Sequence, residues 1–158
     1  MSPFQVFLLA FLIGVATGLR SLTPPAAVAW AAHLGWLNLN NTSVSFMRST
    51  AAVAIFTLAA VGELVADKLP STPSRTAPPG LIARIVLGGL SGACVTAAGT
   101  QSIALGAAIG VAGGLAGTFA GYKARTGLVR ALNVQDIVIA LLEDAVAIGG
   151  SLFIVSRF

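Results

Sequence analysis

Five acidic residues occur in this chain of 158: Glu63, Asp67, Asp136, Glu143 and Asp144. All five fall in two apolar stretches, each long enough to be a membrane helix. An ionisable group at the centre of a bilayer costs about 2.5 kcal/mol or more, so such groups are rare and tend to serve function. Glu63 and Asp67 are four apart and share a helix face. Asp136 and Glu143 are seven apart and also share one, with Glu143 about 10 Å deeper at 1.5 Å per residue. Two short acidic ladders facing each other are the expected arrangement, with Lys68 beside the first and Asp144 beside the second.

Three chemistries compete for these groups. Carboxylates with raised pKa values could relay protons or coordinate a cation in transit. Alternatively, Glu63 and Glu143 are the candidates for an oxygen-rich metal site, since carboxylates suit magnesium or calcium and the sequence has no His/Cys cluster. In the third case the acids pair with Arg20, Lys68 or Arg84 and fix helix packing. Arg20 raises its own question, because it precedes Ser21-Leu22-Thr23-Pro24-Pro25. Prolines behind a hydroxyl residue start helices, and a helix start offers free amides and a positive dipole end. Arginine beside such an end forms a cradle for an anionic ligand or a lipid headgroup; the alternative is an arginine snorkelling to the headgroups. His33, between Trp30 and Trp36, reads as an interfacial polar tip rather than a ligand. No nucleophile constellation and no phosphate-loop, dinucleotide or zinc-protease motif is present, and no cofactor is expected.

The elements that must carry these residues follow from composition. The chain is 56% hydrophobic and 9% charged, with a mean hydropathy of +0.93. Soluble domains average about 25% charged residues, so the lipid bilayer is the expected surroundings. The nine basic residues are scattered, which fits loop anchors and excludes a nucleic-acid surface. Cys94 is the sole cysteine, so there is no disulfide framework. The first apolar stretch reads as a retained span rather than a cleaved signal.

The expected fold is an all-α polytopic membrane protein forming one domain over 1–158. About five transmembrane helices are expected, with a short re-entrant or interfacial helix over 24–37. That helix is too short for a span and is flanked by indoles, which favour the headgroup zone. Residues 38–48 read as a polar loop, 70–79 as a proline-rich one, and the basic segment from Lys123 to Asn133 as the connector to the last span. The glycines of the third and fourth spans, Gly88 and Gly92, then Gly106-Gly110-Gly114 and Gly113-Gly117-Gly121, form the small-xxx-small ladders that bring helix backbones together.

The halves repeat. Gly14-Val15-Ala16-Thr17-Gly18-Leu19 matches Gly110-Val111-Ala112-Gly113-Gly114-Leu115, and Ala60-Val61-Gly62-Glu63-Leu64 lies over Ala140-Leu141-Leu142-Glu143-Asp144. Residues 3–69 and 102–158 are therefore expected to be two repeats around a central helix, 81–98. With five spans the repeats are inverted in topology, as in many transporters. Charge counting then places the N-terminus in the cytoplasm. If the short helix crosses instead, there are six spans and the termini lie together.

Gly18-Leu19-Arg20 with Pro24-Pro25, Glu63-x-x-x-Asp67-Lys68-x-Pro70 and Glu143-Asp144 carry a resemblance. On these residues the chain resembles the small bacterial integral membrane proteins grouped as domain of unknown function 4126. The resemblance covers most of the chain and implies a multi-pass protein of the bacterial inner membrane with no assigned activity, so it transfers no catalytic residues. The functional expectation is a small transporter or channel-like protein that moves a solute or ion past the carboxylates, assembled as a homodimer. The alternatives are a non-transporting module that binds lipid headgroups or scaffolds partner helices, and a lipid-modifying intramembrane enzyme.

Overall fold

A computed structural model describes residues 1–67 and 77–158. Among these the regular structure is entirely helical: α1 (Pro3–Leu19), α2 (Thr23–His33), α3 (Thr50–Ala66), α4 (Pro78–Ala98), α5 (Ile103–Leu132) and α6 (Asp136–Val155), with a 3-10 turn at Ser45–Arg48. The starts follow local chemistry. Ser2 and Gln5 form a capping box on either side of Pro3, while Ser49 and Ser102 cap the amides of Ala52 and Leu105. Pro78 and Pro79 occupy the first turn of α4, three residues earlier than the sequence suggests, because proline is tolerated there. Helix α5 runs on through the basic stretch expected to be a connector. Lys, Arg, Ala and Leu propagate a helix well, and it stops only at Asn133, which is left-handed at φ 50°.

α4, α5 and α6 are each long and apolar enough to cross a membrane; α1 and α3 are shorter apolar helices of 17 residues. Large apolar side chains face outward, among them Ile55, Leu58, Val61 and Val65 on α3 and Leu141, Leu142, Val146 and Phe153 on α6. An outward apolar face is stable where the solvent is hydrocarbon.

The centre is made of α1, α4 and α5, and glycine makes it. A Cβ on Gly110 would run into the Gly88 backbone, and one on Gly92 into Gly106 and Gly110, so α4 and α5 run antiparallel. A Cβ on Gly14 would strike Gly110, and one on Gly18 would strike Gly114, Gly117 and Thr118. The two glycine ladders of α5 thus serve different neighbours. Gly106, Gly110 and Gly114 turn to α4, while Gly113 and Gly117 turn to α1. Gly121 is buried one turn further on.

These contacts also fix direction. Gly14 to Gly110 and Gly18 to Gly114 advance together, so α1 and α5 run parallel. An inverted repeat would set them antiparallel. The difference is traceable to α2 and the loop after it. Ser21 and Leu22 meet Glu63, Trp30 bonds Thr57 at 3.0 Å, and His33 bonds the Arg48 carbonyl at 3.0 Å, so α2 and α3 form an antiparallel pair. The chain therefore runs from one end of the bundle to the other in α2 and returns in α3, and both termini emerge together. By length alone α2 looked unable to make that passage. The segment expected to be a polar loop helps it, since Leu37, Leu39, Val44 and Met47 are buried in the core beside Ala10, Ile13, Cys94 and Val155.

Helix α2 stops at His33, short of Leu37, because Gly35 takes φ 84°. The amides of Gly35 and Trp36 then turn back to the carbonyls of Ala32 and Ala31. The end of α4 repeats this closure, with Thr100 and Gln101 bonded to Ala97 and Thr96. There the left-handed position, φ 55°, holds a β-branched threonine. Left-handed backbone disfavours any side chain by roughly 1–2 kcal/mol, and a branched one is a genuine outlier.

Candidate functional site

The α1–α2 junction gathers the charges. Arg20 directly follows α1 and is fully buried, at 0% exposure. Its Nη1 pairs with Asp67 at the end of α3, and its Nε pairs with Asp144 in α6. One guanidinium thus holds carboxylates from two helices that lie outside the glycine-packed centre. Its Nη2 is buried without a hydrogen-bond partner among the described residues.

Glu63, one turn before Asp67, does something different. Its Oε1 accepts from the Ser21 amide at 2.8 Å and from the Ser21 hydroxyl, and its Oε2 accepts from the Leu22 amide at 2.9 Å. These are amides that the sequence leaves free for an exogenous anion. The protein fills that place with its own carboxylate, where helix dipole and amide donors both favour negative charge. The expected hydroxyl cap is not used: Leu22 is the capping residue without a side-chain bond, and the Thr23 hydroxyl finds no partner among the described residues. With Glu63 on the amides and two carboxylates on Arg20, this end is not an open anion cradle.

Arg84 closes the site from α4. It is buried; its Nε donates to the Gly18 carbonyl at 3.1 Å and its Nη1 to the Gly80 carbonyl at 3.0 Å. A cation on a carbonyl in the last turn of α1 satisfies an acceptor the helix cannot, and it suits the negative dipole end. Thr118 of α5 sits under the same carbonyl while bonding Gly114 at 2.7 Å.

A second cluster lies further along α5. Arg125 takes Asp136 in a two-pronged pair, with Nε to Oδ1 at 2.8 Å and Nη2 to Oδ2 at 2.5 Å, and its Nη1 reaches Glu143 at 3.4 Å. Asp136 and Glu143 do share a face, as their spacing requires, and the face is turned to Arg125. The neighbours Glu143 and Asp144 diverge, the first to Arg125 and the second to Arg20.

The expected facing of Glu63 and Glu143 is therefore replaced by a meeting of Asp67 and Asp144 on Arg20. Among the described residues no group of three or more His, Cys, Asp or Glu side chains is placed to hold a metal ion. Glu63 and Glu143 take separate donors instead. Lys68 lies outside the described residues. Sequence reasoning missed Arg125 as a site residue, having placed it in a connector. A signal was present: Gly114, Thr118, Gly121 and Arg125 are spaced four, three and four, one continuous helix face.

Comparison with known proteins gives a match to one family model, described as "Domain of unknown function (DUF4126)", over residues 7–156. No curated protein matches the chain, and no solved structure matches it.

Proposed function

We propose that this chain, which belongs to the DUF4126 family, is a small membrane transporter or channel-like protein moving a small solute or ion. The observation that carries the proposal is Arg20. A fully buried guanidinium ion-paired with carboxylates from α3 and α6 joins an outer layer to a centre packed backbone on backbone. Such a centre is a fixed frame, and an outer layer tied to it by ion pairs as well as apolar contacts can rock against it. In this reading Arg20, Asp67 and Asp144 close the path when paired, Glu63 hinges α3 to the α1–α2 junction, and the Arg125 pair steadies α6. The small number of helices favours a homodimer as the working unit.

The proposed topology has six passes. Among the described residues the end holding Arg20 carries Arg20, Arg84, Lys123, Arg125 and Arg130, against Arg48 and Arg157 at the other. The positive-inside rule then puts the Arg20 end in the cytoplasm and both termini outside, the reverse of the orientation that five spans give.

One observation favours a second reading, the non-transporting scaffold: each of the five acids already has a partner within the chain. The two readings separate in liposomes. Purified protein with pyranine trapped inside should speed the decay of an imposed pH, sodium or potassium gradient over protein-free vesicles, and Asp144→Asn should remove the acceleration. Equal rates for empty vesicles, wild type and variant under every gradient would leave the scaffold.

A further inference from the structure

Away from the charged clusters, at the end of the bundle where both termini emerge, lies a cavity of about 410 Å³. It is walled by Asn38, Asn40, Asn41 and Thr42 from the segment after α2, and by Thr100 and Gln101 from the α4–α5 turn. Its apolar wall is Ala97, Ala98 and Ile103. Among the described residues no ionised side chain lines it. Four carboxamides and two hydroxyls present mixed donors and acceptors without charge, and the volume falls in the range of small-molecule sites.

Several of these groups are held in place while keeping bonding capacity. Asn38 Oδ1 accepts the Asn40 amide at 3.1 Å, which leaves its NH₂ group; Asn40 Oδ1 accepts from Arg48, which leaves the same. Gln101 donates to Gly99 at 3.4 Å, which leaves its carbonyl oxygen. The side chains of Asn41 and Thr100 make no hydrogen bond among the described residues. Both of these residues have left-handed backbone, at φ 58° and 55°. Of the three non-glycine residues with positive φ in the described chain, two therefore line this one cavity. The equivalent position at the end of α2 is Gly35, so the fold uses glycine where only the turn matters. Left-handed strain kept at a cavity wall is a pointer to function.

We infer that this cavity binds an uncharged polyhydroxyl group. Carboxamides and hydroxyls match alternating hydroxyls, and the small apolar wall suits the C–H face of a sugar ring or a glycerol backbone. The exposed Trp36 next to this segment fits a location at headgroup depth. The same chemistry can come from a free sugar or polyol, or from the headgroup of a glycolipid.

The test uses the full chain in a detergent without a sugar headgroup. Thermal unfolding is followed against free glucose and glycerol, and separately in nanodiscs of phosphatidylcholine with or without glucosyl diacylglycerol. Stabilisation by the free compounds assigns a soluble ligand; stabilisation by the glycolipid alone assigns a headgroup. Thr100→Gly and Asn41→Gly keep the turn and remove the side chain. Each should raise the melting temperature without ligand and weaken binding about tenfold, the effect of one lost hydrogen bond. No stabilisation in either arm, or equal binding by both variants and wild type, overturns the proposal.

Discussion

Two parts of this molecule are held together by opposite means. α1, α4 and α5 meet through glycines, with backbone against backbone and almost no side-chain freedom between them. The layer of α2, α3 and α6 is tied to that centre at its charged end by Arg20, Asp67, Asp144 and Glu63. Close packing is insensitive to pH and to small ligands, since dispersion contacts carry no proton. A buried ion-pair cluster is conditional: breaking it by removing one partner is severe, yet replacing the whole set with apolar groups is often neutral. The first kind of join makes a frame. The second makes a latch.

The two largest expected effects break the frame and the latch. Gly110→Ala should destabilise the protein by about 3 kcal/mol, the upper end for overpacking, because the new Cβ meets the Gly88 backbone with no flexible group to yield. Gly62→Ala is the control: nothing lies within 4 Å of its added Cβ, so it should stabilise α3 by roughly 0.5–1 kcal/mol. Equilibrium unfolding in detergent measures both. Next comes the latch, where Arg20→Met should cost about 3–5 kcal/mol by stranding two carboxylates. Adding Asp67→Leu and Asp144→Leu to that variant should return stability close to wild type. If the triple variant stays as weak as the single one, Arg20 acts through something other than these pairs.

Smaller effects grade the site. Glu63→Gln keeps an acceptor but loses the charge that favours the amides of Ser21 and Leu22, for a loss of about 1–2 kcal/mol. The same unfolding titration reads it, and a wild-type value would show that the Glu63 charge is idle. Asp136→Asn should change stability by about 1 kcal/mol at most, because its carboxylate is 62% exposed and exposed pairs contribute little.

Much of the frame was legible from spacing alone. The two glycine ladders of α5 lie one and three residues out of phase; the first points at α4 and the second at α1, while the Gly110 and Gly114 backbones also meet α1. The acids and Arg20 were legible as residues, but their pairing was not. Pairing depends on helix direction, and direction hinged on an 11-residue helix that a length rule keeps out of the count of passes. Leu37, Leu39, Val44 and Met47 carried the missing information, because four large apolar residues in a loop of asparagines need somewhere to be buried. Gly35 marked the true end of α2 in the same way. The Glu63 cap was beyond reach: a helix start capped from 41 residues away leaves no local pattern.

The division into frame and latch is tested most directly by hydrogen–deuterium exchange of wild type and Arg20→Met in nanodiscs. The expected result is faster exchange in α2, α3 and α6 of the variant, with α1, α4 and α5 as protected as in wild type. Equal loss of protection across all six helices would contradict it, and would mean that the molecule opens as one unit.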